Sequence, residues 1–343
     1  MPPSFYHDAR KRNFRYNVPL RQLYGTIFVN ATHFDTLRQH LSHYIVGQQA
    51  LIDSMLIALL CDGHILIEGM PGLAKTTAIK SLASGIEGDF HRIQFTPDLL
   101  PADLVGTDIY KHESGEFQFR PGPLFHNILL ADEINRSPPK VQSALLESMA
   151  ERQITVGQQT YPLPALFMVL GTQNPVEHEG TYPLPEAQLD RFLLHLRVDY
   201  PSRDEELRIL DLLDQPKLTL ATQKITQPEI FAARDAVKQV YLDDKLKGYI
   251  VDMVRASRAP RNYDSDLTRW QRFGASPRAT IALIHCARAL AWLQGESYVS
   301  PAHIHAVAPN ILRHRILLSF EAEADNVSPD DFIQRLLQVV AIP

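Results

Sequence analysis

Residues Gly63–Ala83, GHILIEGMPGLAKTTAIKSLA, decide the fold of this chain, because three structural signals follow one another there without interruption. The apolar run HILI predicts a short buried strand, and the loop EGMPGLA, with its glycines and proline, predicts a tight turn. Lys75 and Thr76 then open a segment with the apolar spacing of a helix. This order predicts a phosphate-binding loop, in which backbone N–H groups converge on phosphates at a helix start. In such a loop the lysine binds the β- and γ-phosphates and the threonine hydroxyl holds Mg²⁺.

Ala74 departs from the usual pattern of such loops, GxxxxGK[ST], which has glycine before the lysine. Alanine is unfavourable there if the backbone needs a positive φ, and harmless if the position begins the helix. A strand–turn–helix corner without a ligand therefore stays open as an alternative.

The composition is that of an ordinary globular protein, with 343 residues, 45% of them hydrophobic and 21% charged. This length suits two domains. The formal net charge of −5 argues against broad electrostatic capture of nucleic acid. Cys61 and Cys286 each lie in an apolar segment, which predicts reduced core cysteines in a cytoplasmic protein. No stretch reaches the ~18 uninterrupted apolar residues of a membrane span.

The pattern of charged, apolar and turn-forming residues along the chain divides it into three regions. Residues 1–30 form a basic and aromatic arm, for which packing on its own domain or a neighbouring subunit is favoured over a nucleic-acid contact. Residues 31–200 alternate buried strands with helices, which predicts a parallel α/β sheet. Two alternating segments around glycine turns, near 107–119 and 153–163, predict β-hairpin insertions. Residues 201–343 predict a small all-helical lid domain, in which serines before prolines start the helices.

Asp132 and Glu133 end an apolar, strand-like run and supply the two carboxylates that nucleotide hydrolysis needs. One carboxylate anchors Mg²⁺ through water, and the other orients and deprotonates the attacking water. A plain acidic loop end is the alternative. Asn174 is placed either to hold the attacking water or to form a turn before proline. Arg191 and Arg278 would neutralise charge on the γ-phosphate or form ordinary surface ion pairs.

Five segments together resemble the MoxR family of AAA+ ATPases, relatives of the ATPase subunit of magnesium chelatase. They are IVGQ (45–48), GHILIEGMPGLAKT (63–76), PADLVGTD (101–108), FRPGPLFHNILLADEINR (119–136) and GTQNPVEHEGTYPLPEAQLDRF (171–192). The family also has alanine before the lysine, so Ala74 is no longer an objection. The resemblance implies the fold class: an α/β AAA+ P-loop domain with a five-stranded parallel sheet and β-hairpin insertions, followed by the small all-helical lid.

The same resemblance implies which residues carry out an ATPase reaction that uses ATP and Mg²⁺. The implied catalytic residues are Lys75, Glu133, Asn174 and Arg191. The implied Mg²⁺ ligands are Thr76 and Asp132. Glu133 would be the catalytic base and Asn174 would match sensor 1. Arg191 would match the arginine finger, which in this group acts on the nucleotide of the next subunit.

Contacts to the nucleotide are also implied by the resemblance. The implied ATP-binding residues are Val46, Gly47, Gly69, Pro71, Gly72, Leu73, Ala74, Lys75, Thr76, Thr77 and Arg278. Arg278 resembles sensor 2. Arg136 belongs to the family spelling, but the resemblance assigns it no role.

The resemblance implies that the chain assembles into a ring, usually a hexamer. Members of the family are described as chaperones or assembly factors that act on a protein client, often with a von Willebrand A-domain partner. The alternative is a nucleic-acid motor, because relatives with the same two hairpins translocate DNA. One hairpin tip, KHESGE, carries one lysine and two acids, and the other, GQQ, is neutral. A loop that grips DNA should present Lys or Arg to phosphates, so a protein client is favoured. A nucleotide-binding scaffold with little turnover is disfavoured by the intact Lys75, Asp132 and Glu133.

Overall fold

The computed structural model describes residues 20–70, 73, 75–113, 115–175, 180–213 and 224–343. Three of the predicted ATP-binding residues, Pro71, Gly72 and Ala74, lie outside the described residues. Residues 1–19 of the predicted arm also lie outside them.

The strands of the described residues form one central sheet and three separate strand pairs. In chain order they are β1 (Ile65–Gly69), β2 (Phe90–Gln94), β3 (Gly106–Lys111), β4 (Glu116–Pro121), β5 (Ile128–Asp132), β6 (Gln153–Val156), β7 (Gln159–Pro162), β8 (Met168–Gln173), β9 (Leu194–Val198), β10 (Gln271–Phe273) and β11 (Leu317–Leu318). The central sheet has the order β2-β5-β8-β1-β9, and each neighbouring pair in it is parallel. The predicted five-stranded parallel sheet is therefore confirmed.

The helices cover both faces of the sheet and make up most of the region after residue 200. They are α1 (Leu20–Tyr44), α2 (Gln49–Leu60), α3 (Lys75–Gly85), α4 (Pro101–Val105), α5 (Pro139–Glu151), α6 (Glu186–Leu189), α7 (Arg203–Leu213), α8 (Gln227–Lys238), α9 (Asp244–Arg258), α10 (Ser265–Trp270), α11 (Pro277–Leu293), α12 (Pro301–Leu312), α13 (Phe320–Ala324) and α14 (Pro329–Val339). Helix α1 crosses residue 30, the predicted end of the arm. Within the described part of the chain, no helix combines the length and the apolar character needed to cross a bilayer.

The central strands β1, β5 and β8 each begin with an apolar run, because both of their faces are buried there. Ile65 and Ile67 of β1 contribute to the core beneath α1, α2 and α3, whereas Leu66 contributes to a second core on the opposite face. All three side chains are fully buried. Alternate residues of a strand point to opposite faces, so a strand covered on both sides is read as a continuous apolar run.

Because the strands are parallel, their carboxyl ends lie along one edge of the sheet, here called the carboxyl edge. In the register, Glu68 of β1 lies opposite Gln173 of β8, and Gln94 of β2 lies opposite Asp132 of β5. The residues just before β1 and β9 lie along the opposite, amino edge. A strand of five residues separates the two edges by about 16 Å.

Two β-hairpins form where the sequence predicts them. In the first, β3 and β4 pair from Gly106 opposite Pro121 to Lys111 opposite Glu116. In the second, β6 pairs with β7. The hairpins contact one another through Phe119 and Tyr161, whose rings stack with centroids 4.1 Å apart.

The lid, after residue 223, is helical except for the short antiparallel pair β10–β11. This pair is absent from the all-helical prediction, since strands of three and two residues leave no periodic pattern. The predicted serine caps are confirmed: Ser276, Ser300 and Ser328 precede α11, α12 and α14, each with proline at the first helical position. The lid packs on the sheet domain through one continuous apolar core that also contains α1, α2 and β1.

Candidate active site

Lys75 begins α3 directly above the carboxyl end of β1. Its ammonium group donates a hydrogen bond to the carbonyl oxygen of Gly69 at 2.5 Å. Burial lowers the pKa of Lys75, and the nearby carboxylates of Asp132, Glu133 and Glu68 oppose that shift. The predicted lysine and both predicted acids therefore lie close enough to interact electrostatically. Thr76 follows in the first turn of the same helix.

Asp132 ends β5, and its carboxylate is held from both neighbouring strands. Its Oδ1 accepts a hydrogen bond of 2.6 Å from the hydroxyl of Thr172 in β8. Its Oδ2 forms an ion pair of 2.7 Å with the guanidinium of Arg92 in β2. The Asp132 side chain is only 13% exposed. Its carboxylate thus has one fixed orientation at the carboxyl edge.

Glu133 has a left-handed backbone conformation, with φ 56° and ψ 52°. Such a conformation costs a residue with a side chain about 1–2 kcal/mol, and it turns the Glu133 side chain away from the strand direction. The backbone N–H of Glu133 donates to the Thr172 hydroxyl oxygen at 2.8 Å. The carboxylate oxygen Oε2 accepts a bond of 2.7 Å from Gln94 and lies 3.2 Å from the Arg136 guanidinium. The two carboxylates therefore have different partners, Thr172 and Arg92 for Asp132, and Gln94 and Arg136 for Glu133.

Asn174 follows β8 immediately and is buried. Because Gln173 is opposite Glu68 in the register, Asn174 lies on the carboxyl edge beside the end of β1. Asn174 thus lies at the same edge as Lys75 and Asp132.

A cavity of about 610 Å³ lies near the carboxyl end of β9 and is lined by Val46, Gly47 and the helix α7. Gln48 donates to the carbonyl of Asp199, just after β9, and so ties this segment to the carboxyl edge. Gly47 has φ +75°, and a Cβ there would lie 2.1 Å from the Glu205 carboxylate. The cavity is within the size range of small-ligand sites, about 300–1,000 Å³.

Arg191 and Arg278 lie elsewhere, at the amino edge. They line one cavity of about 310 Å³ together with Gly63 and His64, the residues that precede β1. Arg191 donates from its guanidinium to the carbonyl of Leu146 at 2.6 Å. Along the sheet, about 16 Å of strand separates these arginines from the end of β1, so they are not brought to the Lys75 site.

The oxygen donors at the carboxyl edge fit Mg²⁺, which proteins usually bind through one or two carboxylates together with phosphate oxygens of the substrate. Asp132 offers a carboxylate and Thr76 a hydroxyl. Among the described residues, no group of three or more His, Cys, Asp and Glu side chains is arranged to hold a metal by itself. His303 and His305 are directed to different partners, Gln294 and Tyr249.

Some residues that hold the acids at the carboxyl edge are not predicted from the sequence. They are Arg92, Gln94 and Thr172. Thr172 lies inside the quoted GTQN segment, but a threonine in a buried strand is common enough to carry no signal. Arg92 and Gln94 meet the acids only because β2 pairs with β5, and pairing between distant strands cannot be derived from spacing in the chain.

Known protein families and known proteins resemble this chain over most of its length. A family model for the "ATPase family associated with various cellular activities (AAA)" matches residues 64–194, and a model for the "AAA lid domain" matches residues 269–336. "Chaperone MoxR1" of Mycobacterium tuberculosis is 48% identical over 304 residues, which cover 87% of this chain and 79% of that protein.

This chain belongs to the MoxR family of AAA+ ATPases. The tobacco magnesium-chelatase subunit ChlI is 32% identical over 213 residues, 58% of this chain and 45% of that protein, which confirms the predicted relationship to magnesium chelatase. A crystal structure from Cytophaga hutchinsonii, of a protein provisionally assigned as an ATPase, superposes with a TM-score of 0.88. It is 43% identical and covers 94% of this chain and 99% of its own. The predicted fold class is confirmed by this likeness.

Proposed function

We propose that this MoxR-family protein hydrolyses ATP to ADP and phosphate, as a ring whose ATP sites lie between subunits, and uses the reaction to remodel a protein client. The observation that carries the proposal is the meeting of Lys75, Asp132 and Glu133 at the carboxyl edge of the sheet. A cavity of about 610 Å³ lies near the carboxyl end of β9. Two proposed nucleotide contacts, Val46 and Gly47, line that cavity.

The residues of the carboxyl edge have distinct tasks in this proposal. Lys75 exchanges the carbonyl of Gly69 for the β- and γ-phosphate oxygens, and Glu133 accepts a proton from the attacking water. Asn174 orients that water. Mg²⁺, when bound at Thr76 and Asp132, would neutralise charge on the phosphates.

Arg191 and Arg278 are proposed to act on the nucleotide of a neighbouring subunit. Both lie at the amino edge, so neither reaches the Lys75 site of its own chain without a large rearrangement. A ring resolves this, because it presents the amino edge of one subunit to the carboxyl edge of the next. We propose six subunits, as is usual in the family.

A protein client is favoured by the chemistry of the hairpin tips. Tyr110 and Phe117 are both exposed, and their rings contact one another near the tip of the first hairpin. Lys111 is flanked there by Glu113 and Glu116, so the tip offers no excess of positive charge to a phosphate backbone. We propose a chaperone or assembly role, with a von Willebrand A-domain protein as partner. Free Cys61 and Cys286 support placing it in the reducing cytoplasm.

The test is steady-state ATP turnover of the wild type and of Glu133→Gln, which keeps the shape of the side chain but cannot accept the proton. Turnover should fall by about 10²–10⁴-fold, the usual contribution of a general base. Equal turnover in both proteins would remove the enzyme assignment. A salt-sensitive, severalfold stimulation by DNA would favour the nucleic-acid motor, and capture of a folded protein client by Glu133→Gln would favour the chaperone.

A further inference from the structure

Asp190, beside Arg191 in the chain, joins the sheet domain to the lid. Its Oδ1 accepts a bond of 2.7 Å from Arg315, three residues after α12, and its Oδ2 accepts one of 2.9 Å from the hydroxyl of Ser276. The Arg278 guanidinium lies 3.6 Å from the same Oδ2. One carboxylate therefore contacts three lid residues while it is covalently adjacent to Arg191.

Arg315 also holds the backbone on both sides of Arg191. Its guanidinium donates to the carbonyl of Phe192 at 2.6 Å and to that of Asp190 at 3.4 Å. The Arg315 side chain is only 3% exposed, so its charge depends on Asp190 as a counter-ion. The segment that presents Arg191 is thus fixed by a buried ion pair from the lid.

The same carboxylate fixes the helix start that carries Arg278. Ser276 is the N-cap of α11, and its oxygen accepts the backbone N–H of Arg278 at 3.2 Å while its hydroxyl donates to Asp190. Arg191, Arg278 and Arg315 line one cavity, where their like charges repel one another. The negative charge of Asp190 reduces that repulsion and keeps Arg191 and Arg278 close together at the amino edge.

We propose that Asp190 is a positioning residue, which holds Arg191 and Arg278 in a single arrangement for the nucleotide of a neighbouring subunit. This inference rests on the proposed function, because it assumes that the amino edge completes a neighbour's site. Asp190 touches no substrate. It links the lid to the arginine pair, so that a movement of the lid moves Arg191.

The first test compares Asp190→Asn with Asp330→Asn. Asp330 of α14 holds Arg313, which donates to the carbonyl of His195 at 2.6 Å, and its Oδ2 lies 3.4 Å from the Arg197 guanidinium of β9, so this control also breaks a carboxylate–arginine pair between lid and sheet. Asp190→Asn should lower kcat by about 10–100-fold, the cost of misplacing a catalytic group, with little change in KM. Asp330→Asn should keep kcat. Equal effects of the two variants would show that Asp190 only docks the lid, and would overturn the proposal.

The second test mixes inactive subunits in equal amounts. Arg191→Ala retains the carboxyl edge and Glu133→Gln retains the amino edge, so their mixture should regain turnover severalfold above either variant alone. Asp190→Asn mixed with Glu133→Gln should regain turnover in the same way, whereas Asp190→Asn mixed with Arg191→Ala should not. This dependence of recovery on the partner variant is here called the pairing rule. A general structural defect in the Asp190→Asn subunit would not produce it.

The outcomes separate the two proposals. If the mixture of Arg191→Ala and Glu133→Gln does not regain turnover, both the shared site and the role of Asp190 are disproved. If that mixture regains turnover, and Asp190→Asn regains turnover with Arg191→Ala instead of with Glu133→Gln, only the role of Asp190 is disproved. Ser276→Ala provides a second variant that leaves the buried Arg315 pair intact. It should show a smaller loss of kcat with the same pairing rule, and an unchanged kcat would count against the proposal.

Discussion

The hydroxyl of Thr172 sets the relative positions of the two acids at the candidate site. It donates to Asp132 and accepts from the backbone N–H of Glu133, so one oxygen holds both residues. The Thr172 residue is only 1% exposed, so no bulk water replaces these bonds if the hydroxyl is lost. Threonine is therefore required there for its hydrogen-bonding group as well as for its shape.

Thr172→Val should lower both stability and turnover. Valine keeps the branched shape but leaves the Glu133 N–H unpaired, which costs about 1–3 kcal/mol in the free energy of unfolding. The kcat should fall because the Glu133 carboxylate loses its fixed position. Urea unfolding and steady-state ATP turnover measure the two effects. Thr155→Val, in the exposed hairpin pair with Thr160, is the matched control and should change stability by less than about 0.5 kcal/mol. Similar results for both variants would contradict this role.

The sequence predicts the charged residues of the carboxyl edge, and the structure adds the residues that hold them. Lys75, Asp132 and Glu133 are recognisable because a phosphate loop and a strand end each have a local pattern. Thr172 and Arg92 are not, because their contacts depend on which strands become neighbours. A residue whose role depends on the pairing of strands that are distant in the chain has no recognisable pattern in its own segment.

His64, just before β1, gives the molecule an acid-sensitive core. Burial, with a smaller contribution from the Arg152 charge, lowers the pKa of His64 to about 3. Its Nδ1 accepts the backbone N–H of Val169 at 3.0 Å, which requires the neutral ring. In the unfolded chain the same histidine takes up a proton near pH 6.5, so the unfolded state binds more protons in the window between these values.

Stability should therefore fall as the pH is lowered from 7.5 to 5.5, and His64 alone should account for about 1.4 kcal/mol of the loss. His64→Asn keeps an acceptor for Val169 and cannot be protonated, so its unfolding free energy should depend less on pH by that amount. Urea titrations at the two pH values measure the difference. Thr155→Val, which changes no titratable group, should leave the pH dependence unchanged. An unaltered pH dependence in His64→Asn would be the contrary result.

At the scale of elements, the two hairpins behave as one projecting unit. Each is predicted from a glycine turn between alternating residues, and each forms as predicted. Their contact could not be predicted, because Phe119 and Tyr161 lie on different hairpins and meet only through the fold. The stack, continued by the edge contact of Phe119 with Phe125, connects the base of the first hairpin to the second.

Tyr161→Ala should uncouple the hairpins without affecting basal ATP turnover. Stacked aromatic pairs contribute about 0.5–1.5 kcal/mol beyond the area they bury, so the β3–β4 amides should exchange with solvent up to about tenfold faster. Native-state hydrogen exchange measures this change. Phe117→Ala removes a ring that is 72% exposed and contacts only its own hairpin among the described aromatic pairs. It should leave exchange at the base of β3–β4 unchanged, and equal acceleration in both variants would exclude the coupling.

At the scale of the whole molecule, the two edges of the sheet carry complementary halves of one proposed site. The carboxyl edge has Lys75 and the two acids, and the amino edge has Arg191 and Arg278. The sequence places all five residues in the ATPase reaction but says nothing about which edge each occupies. That information comes from the strand order and from the lid, which brings Arg278 next to Asp190.

This division predicts that ATP turnover per subunit depends on protein concentration. A subunit alone lacks Arg191 at its own carboxyl edge, so dilution below the concentration at which rings dissociate should lower the specific activity. An arginine that stabilises transition-state charge on a phosphoryl group contributes about 10³–10⁵ in kcat, so the fall should be large. Turnover measured over a dilution series, alongside mass measurement in solution, tests this. Arg191→Ala is the matched control, because a protein without the arginine has nothing further to lose on dilution. A constant specific activity in dissociated wild-type subunits would mean that each chain completes its own site, and the ring would then serve only the client.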